Sequence, residues 1–225
     1  MTDIYHLDLS KAKASQILSL ADAYAKVFST DSAWNEFYKC PRCSSSFPES
    51  YLATECSHCT QEGYSVPLVP YWPTTIILSD FYKEMSKEGA VCIVASDKSE
   101  NIVGFCWGYL LKVDHHLEEH LGAPGLIESM KNFGITDEYV AYQDEIAVIP
   151  TFQKQGIAKK LFQERHRHFH EKIPNGTAIF RTLASPPSST YGWMIEKLGY
   201  QVIHNLESEN RLRVIAGKKI IECLN

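Results

Sequence analysis

The sequence contains no long hydrophobic run and no excess of positive charge. No stretch reaches the roughly 18 consecutive apolar residues of a membrane-spanning helix, so we expect no membrane partner. The chain carries 22 basic and 27 acidic side chains, for a formal net charge of −5. This balance disfavours binding to nucleic acid, because phosphate contact needs a concentrated positive surface. Residues 1–16 lack the apolar core of a secretory signal peptide, and we expect a cytoplasmic location.

Internal repeats and low-complexity tracts are also missing, which excludes a repeat architecture. A hydrophobic content of 44% is ordinary for a globular protein with a sizeable core. With 225 residues, the chain fits a single domain over residues 1–225 that carries a small insert at residues 38–62. The sequence leaves the oligomeric state open, with a dimer among the options.

Four of the seven cysteines stand in two C-x-x-C pairs, in the pattern C-x2-C-x12-C-x2-C. Cys40, Cys43, Cys56 and Cys59 can supply four thiolates to a tetrahedral ion, and we expect a structural Zn²⁺ in a zinc ribbon. A catalytic zinc is disfavoured because four cysteines leave no open coordination position, and the other alternative is four unliganded thiols. The residues between the pairs have little apolar bulk, so metal binding would supply most of the order of this insert.

Aromatic residues flank the ribbon, with Trp34 before it and Tyr71 and Trp72 after it. They either line a substrate groove or pack against the insert. The ribbon itself has two open roles, which are to shape that groove or to dock a partner protein.

Apolar periodicity and turn residues predict an alternation of helices and strands. Helices are predicted at 11–29, 75–87, around 126–132, at 156–171 and at 191–198. Strands are predicted at 4–9, 90–96, 102–111, 139–149, 177–183, 201–205 and 211–216. This order indicates an α/β protein with a mixed sheet of six to seven strands flanked by helices. We expect a ligand crevice between the fourth and fifth strands.

One segment stands out within this order, residues 144–161, with the sequence DEIAVIPTFQKQGIAKKL. It runs from an apolar strand through a proline into a Gln-x-x-Gly-x-Ala turn and then into an amphipathic helix. Free backbone N–H groups and the positive end of a helix then lie at one point, which is a site for phosphate oxygens. Gly156 lets the backbone approach a ligand closely, and the small Ala158 keeps the helix start open. Lys159 and Lys160 add positive charge nearby.

The pattern Val148-x-Pro150-x-x-Gln153-x-x-Gly156-x-Ala158 resembles the acetyl-CoA signature of the GNAT-type N-acyltransferases. Two further segments strengthen the resemblance. Residues 90–111 read as two strands joined by a polar turn, and residues 194–200 resemble the closing helix of that family, which ends in Gly followed by an aromatic residue.

The resemblance implies a GNAT-like acyltransferase fold with acetyl-CoA as the co-substrate. The turn would hold the pyrophosphate, and the strand before it would bind the pantetheine arm through its backbone. The implied cofactor-binding residues are Ile146, Ala147, Val148, Gln153, Lys154, Gln155, Gly156, Ile157, Ala158, Lys159 and Ser188. The implied activity is transfer of an acetyl group to a primary amine of an unidentified acceptor, by direct attack in a ternary complex.

Amine attack requires that the amine first lose a proton, and a carboxylate whose pKa burial raises toward 7 can accept it. Glu145 is the first candidate base, because it precedes the phosphate turn on the fourth strand. Strand alternation predicts that Asp144 points to the opposite face, so that only one of the two reaches the site. Tyr142 is an alternative proton relay. Backbone N–H groups of the same strand can polarise the carbonyl.

The acid that would protonate the leaving thiolate is less evident in this sequence. Members of the family often carry a tyrosine where this chain has Ile195, and Ser188 stands near the place of a frequent asparagine. Tyr191, one helical turn earlier, is the candidate acid. The departure keeps an alternative open, in which the chain is a non-catalytic acyl-CoA sensor or a zinc-ribbon interaction module.

Two histidine tracts have more than one interpretation. His115, His116 and His120, with Glu118 and Glu119, resemble a metal cluster but are predicted to lie on a solvated loop or helix face. Residues 166–170 are predicted to lie on the exposed side of the helix at 156–171, with an orientation toward the adenine and its phosphate as the alternative.

Overall fold

Seven strands form one mixed sheet in the computed structural model, which describes residues 2–30, 37–48, 50–208 and 211–224. Trp34 lies outside these residues. The strands of this sheet and of a smaller second sheet are β1 (Asp3–His6), β2 (Tyr38–Lys39), β3 (Ser46–Phe47), β4 (Val69–Pro70), β5 (Val91–Ser96), β6 (Ile102–Lys112), β7 (Tyr139–Val148), β8 (Thr177–Ser185), β9 (Gln201–Ser208) and β10 (Arg211–Lys219). The helices are α1 (Ala14–Thr30), α2 (Ser57–Gln61), α3 (Thr74–Met85), α4 (His115–Leu121), α5 (Leu126–Asn132), α6 (Ile157–Lys172) and α7 (Ser189–Tyr191), which continues as a π-helical turn, Gly192–Lys197.

The large sheet has the strand order β1-β5-β6-β7-β8-β10-β9. Neighbouring strands run antiparallel except for β7 and β8, which are parallel. The α/β class with a seven-stranded mixed sheet is therefore confirmed.

Helices cover both faces of this sheet, as neighbouring residues of β6 show. The Trp107 ring lies 5.2 Å from the Phe81 ring of α3, between centroids. The Cys106 thiol instead donates to the carbonyl oxygen of Leu161 in α6, at 3.3 Å. Because successive strand residues point to opposite faces, α3 covers one face and α6 the other. Burial on both faces explains why β5 and most of β6 are continuously apolar.

The strands β7 and β8 separate after a short pairing. Their register joins Val140 to Thr177 and ends with Tyr142 opposite Ile179, although the strands continue to Val148 and Ser185. The separation opens the sheet in its middle and leaves backbone groups of β7 without a partner on β8. The crevice therefore lies between the fourth and fifth predicted strands, as expected.

A second, three-stranded sheet has the order β3-β2-β4 and forms between α1 and α3. Together with α2 it carries the four cysteines of the C-x-x-C pairs. Its last strand, Val69–Pro70, extends the insert beyond residue 62. None of the helices in the described ranges combines the length and the apolar character needed to cross a bilayer.

The structure confirms one prediction about histidines and corrects another. His115, His116 and His120 are exposed on α4, as predicted, and the His120 Nε2 also lies 3.1 Å from the Tyr109 hydroxyl. The interpretation of residues 166–170 as an exposed helix side is wrong for two of them, since His166 and Phe169 are fully buried. Burial and the charge of Arg165 lower the pKa of His166 to about 3, so this imidazole is neutral at physiological pH.

Candidate active site

A cavity of about 250 Å³ occupies the crevice between β7 and β8. The β7 residues from Gln143 to Val148 form one wall, and Phe180 and Thr182 of β8 form the other. Val27 and Phe28 of α1 also line it. A narrow crevice that exposes unpaired strand backbone can bind an extended chain through main-chain hydrogen bonds.

The wall formed by β7 contains a β-bulge at its centre. The register with β6 shifts between Trp107, opposite Glu145, and Tyr109, opposite Tyr142, so that Gly108 faces two residues of β7. A side chain at position 108 would collide with the Tyr142 carbonyl oxygen, which explains the glycine. A bulge bends the strand and redirects its side chains.

The buried Arg165 of α6 holds the bulge in place. Its Nη1 donates to the carbonyl oxygens of Trp107 at 3.0 Å and Glu145 at 2.7 Å, and its Nη2 donates to Gln143 Oε1 at 2.7 Å. Arg165 is 0% exposed, so these hydrogen bonds replace the hydration that the guanidinium loses. The arginine therefore fixes the backbone on both sides of the bulge.

The bulge corrects the expectation that only one of Asp144 and Glu145 reaches the site. Both residues line the cavity, because the extra residue interrupts strand alternation between them. Glu145 Oε1 accepts a hydrogen bond from the Tyr24 hydroxyl of α1 at 3.1 Å. The site thus contains two adjacent carboxylates rather than one.

A third carboxyl group, Glu84 of α3, lies beside Asp144. Burial, followed by the charge of Asp144, raises the pKa of Glu84 to about 8. Its Oε2 accepts a hydrogen bond from Trp107 Nε1 at 2.7 Å. At neutral pH, Glu84 is therefore mostly protonated, and the acidic cluster carries less negative charge than three carboxylates suggest.

The turn before α6 has the features of an anion site. Gly156 adopts a left-handed conformation, with φ of +78°, and a Cβ placed there would meet nothing within 4 Å. No side chain of the described residues caps α6, so the N–H groups of its first turn are left for an external acceptor. These N–H groups and the helix dipole favour a phosphate at this point.

Ten of the eleven residues predicted to bind the cofactor, all except Ser188, fall into three groups. Ile146, Ala147, Val148, Gln153 and Ala158 line the cavity. Lys154, Gln155, Gly156 and Lys159 are exposed on the adjoining turn. Ile157 is buried in the core, so only its backbone faces the turn.

Gln153 and Ser188 make intramolecular contacts that indicate positioning roles. The Gln153 side-chain amide donates to the Val148 carbonyl oxygen at 3.0 Å and so ties the turn to β7. The Ser188 hydroxyl lies 2.6 Å from Thr182 Oγ1 and accepts the backbone N–H of Tyr191 at the start of α7. Ser188 is therefore the N-cap of α7.

The three predicted catalytic residues do not all meet. Glu145 lines the cavity, whereas Tyr191 is not among the residues that line it. Ser189, Thr190 and Trp193 contribute from α7 and its π-helical turn instead. Tyr142 is 4% exposed, and burial raises its pKa well above the ordinary value.

A second cavity, of about 290 Å³, adjoins the first. The two share Phe28, Asp144, Glu145, Arg181 and Thr182. Tyr24, Tyr71, Trp72, Tyr142 and Arg213 complete the lining of the second cavity. Its aromatic side chains can pack against a cationic group, and its two carboxylates stand beside two arginines, Arg181 and Arg213.

The four cysteines of the ribbon have the geometry of a metal site. Their sulfur atoms all lie within 4.8 Å of one another, with Cys40 and Cys59 at 3.7 Å and Cys43 and Cys56 at 3.5 Å. A tetrahedral zinc ion with Zn–S bonds of about 2.3 Å places its sulfurs about 3.8 Å apart. The residues present therefore fit Zn²⁺ closely.

The sequence reasoning missed Arg165, Glu84 and Tyr24. For Arg165 a signal was available, since it continues the buried face of α6 from Leu161 at a spacing of four residues. Glu84 and Tyr24 gave no such signal, because their roles come from contacts with residues far away in the sequence.

The sequence and the fold of this chain were compared with those of known proteins. Residues 55–180, more than half of the chain, match the family described as Acetyltransferase (GNAT) family. No curated protein sequence matches the chain.

Three solved structures illustrate the similarity of the fold. The ribosomal-protein-S18-alanine N-acetyltransferase from Escherichia coli has 12% sequence identity and a TM-score of 0.52, over 98% of this chain and 94% of that chain. The PaiA N-acetyltransferase from Thermoplasma acidophilum, in complex with coenzyme A, has 12% identity and a TM-score of 0.52, over 97% and 99%. Arylalkylamine N-acetyltransferase 2 from Aedes aegypti has 11% identity and a TM-score of 0.53, over 97% and 99%.

Proposed function

This chain belongs to the acetyltransferase (GNAT) family, and we propose that it transfers an acetyl group from acetyl-CoA to a primary amine by direct attack in a ternary complex. One observation carries the proposal. Two adjoining cavities meet at Asp144 and Glu145, and one of them leads toward the uncapped start of α6. A non-catalytic sensor would need only the first cavity.

Acetyl-CoA fits the first cavity and the turn beside it. The backbone N–H groups at the start of α6 would bind the pyrophosphate, and the exposed Lys154 and Lys159 would add positive charge. The backbone of Ile146 to Val148, which pairs with β6 but not with β8, would bind the pantetheine arm across the crevice. The bound thioester supplies an activated acyl group.

Glu145 is the proposed base. Its carboxylate would accept a proton from the acceptor ammonium, and the neutral amine nitrogen then bonds to the acyl carbon as the C–S bond breaks. The second proton of the nitrogen passes to the departing thiolate, which gives the amide and the free thiol. The Tyr24 hydroxyl holds Glu145 in place, and Arg165 fixes its backbone carbonyl. Asp144 adds negative charge that favours the approach of a cation.

The leaving thiolate needs little assistance, because a thiol has a pKa of about 8.5. The cavity offers the hydroxyls of Ser189 and Thr190 as donors, where the sequence suggested Tyr191. We therefore expect Tyr191→Phe to retain kcat, and Thr190→Val to lower it more than Tyr191→Phe does.

The test of the base compares Glu145→Gln with Glu207→Gln, an exposed glutamate of β9. Turnover is measured with acetyl-CoA and a panel of amines, and acetyl-CoA affinity by calorimetry. We expect Glu145→Gln to lower kcat by about 10²- to 10⁴-fold with unchanged acetyl-CoA affinity. Full activity of Glu145→Gln would contradict its role as base. Acetyl-CoA binding without turnover of any amine in the wild type would favour the sensor.

We further propose that the four cysteines bind one structural Zn²⁺ ion. The sulfur separations support this assignment, and the completed Cys₄ set leaves the ion no role in the reaction. Metal analysis should give one zinc per chain, and Cys43→Ser should lower this value.

A further inference from the structure

The ribbon is joined to the second cavity by a short series of contacts. Cys40 directly follows β2, and β2 pairs with β4 through Tyr38 opposite Pro70 and Lys39 opposite Val69. The chain leaves β4 directly into Tyr71 and Trp72, which line the second cavity.

Tyr71 is held by the ribbon through its backbone and its ring. Its N–H donates to the carbonyl oxygen of Phe37 at 3.0 Å. The Lys39 ammonium lies 5.5 Å from the centroid of the Tyr71 ring. The position of Tyr71 therefore depends on the order of β2.

Trp72 connects Tyr71 to the proposed base, Glu145, through its contact with Tyr24. Its ring lies 5.1 Å from the Tyr71 ring and 5.1 Å from the Tyr24 ring, between centroids. The Tyr24 hydroxyl in turn donates to Glu145. Among the described residues, the buried Trp72 Nε1 has no hydrogen-bond partner.

The core of the ribbon is small. Its buried members among the described residues are Cys40, Cys56, Cys59 and Phe47, with four partly buried side chains packed against them, and its strands are only two residues long. Sheets this short are marginal without further support. A Cys₄-bound metal ion contributes folding free energy directly.

From these contacts we propose that zinc bound to the four cysteines organises Tyr71 and Trp72 as a wall of the acceptor site. Zinc occupancy then controls acceptor binding and leaves the acetyl-CoA site unaffected. The cofactor turn lies on β7 and α6, on elements that the ribbon does not build. The assignment of the second cavity to the acceptor rests on the proposed function, whereas the link from the metal to Trp72 does not.

The first experiment measures structure without turnover. Hydrogen exchange is followed in the zinc-loaded protein and in Cys43→Ser, with Cys223→Ser as a control outside the cluster. We expect loss of the metal to increase exchange at least tenfold in residues 37–47 and 67–72, with no change in β7 or α6. Unchanged exchange at residues 67–72 in metal-free protein would overturn the link.

The second experiment measures binding and turnover. Acetyl-CoA affinity is determined by calorimetry, and KM with phenethylamine, putrescine and a hexapeptide with a free N-terminus. In Cys43→Ser we expect unchanged acetyl-CoA affinity and at least a tenfold higher KM for the best of the three amines. Equal KM values with and without zinc would overturn the proposal.

Two variants distinguish the effect of the Trp72 side chain from the effect of zinc. Trp72→Ala should raise KM as loss of zinc does, although this variant still binds one zinc per chain. Leu52→Ala alters an exposed ribbon side chain and should change neither quantity. If wild-type protein acetylates none of the amines but exchange at residues 67–72 still depends on zinc, the proposed function fails and the structural link stands.

Discussion

The anion site at the start of α6 can be tested with one pair of substitutions. Gly156 has φ of +78° and precedes the helix, with open space around an added Cβ. Asparagine and aspartate tolerate this conformation better than other residues with a side chain, and both are favourable N-caps. We therefore expect Gly156→Asn and Gly156→Asp to fold with a similar, modest loss of stability, because a left-handed φ strains any side chain.

The two variants differ by one negative charge at the point where a phosphate would bind. Two unit charges about 5 Å apart, at an effective dielectric constant of about 20, interact with about 3 kcal/mol. This energy corresponds to about 100-fold in affinity. We expect Gly156→Asp to bind acetyl-CoA about 100-fold more weakly than Gly156→Asn, and salt to reduce the difference.

Thermal unfolding provides the assay. For wild-type protein, acetyl-CoA at about 100 times Kd adds about 2.7 kcal/mol and raises Tm by roughly 5–10 °C. At the same concentration, Gly156→Asp should lose most of this rise, while its unliganded Tm stays close to that of Gly156→Asn. Free acetate should have no effect. Equal shifts for the Asp and Asn variants would refute a phosphate site at this helix start.

Other predictions concern the groups around the bulge. Since the folded pKa of Glu84 is raised from 4.5 to about 8, its contribution to stability is present below pH 4.5 and lost as the pH rises through 8. Solvent screening of this partly exposed side chain limits the cost to roughly 2–3 kcal/mol. Glu84→Gln should therefore be more stable than wild type at pH 8.5 by that amount, and denaturant unfolding at pH 4.5 and 8.5 checks it; a pH-independent difference would contradict the shift. Arg165→Met leaves three oxygen acceptors unpaired and should lower the free energy of unfolding by about 3 kcal/mol or more, whereas the exposed Arg167→Met should cost less than about 0.5 kcal/mol. Equal losses for the two arginines would contradict the role of Arg165.

The parts of the molecule that depend on local sequence could be predicted. The turn from Gln153 to Ala158 combines a glycine, a small residue and a helix start, and each has a local physical meaning. The order of strands and helices follows from periodicity in the same way, and the helix at Leu126–Asn132 lies where the sequence predicted it. The spacing of the cysteine pairs also indicates a metal site without knowledge of the fold.

The parts that depend on distant contacts could not be predicted. The role of Glu84 comes from Asp144, sixty residues later, and Trp72 reaches the site only because the small sheet delivers it there. Strand alternation predicted opposite faces for Asp144 and Glu145, and it failed because a bulge depends on pairing with β6. The helix α4 was missed, whereas the equally short α5 was predicted because Gly122, Pro124 and Gly125 break the chain before it.

The bulge explains why the acidic groups and the open crevice occur together. An extra residue in β7 requires that the opposite strand give space, and Gly108 does so by having no side chain. It also leaves carbonyl oxygens that the β6–β7 ladder does not fully satisfy. Arg165 of α6 donates hydrogen bonds to two of them, those of Trp107 and Glu145. The same helix begins at the anion site, so one element fixes the backbone of Glu145 at its middle and offers free N–H groups at its start. A change that loosened Arg165 would therefore affect the position of the proposed base before it affected the anion site, and the ratio of kcat loss to acetyl-CoA affinity loss in Arg165→Lys would measure that order. A larger loss in affinity than in kcat would show that the helix start, and not the bulge, depends on this arginine.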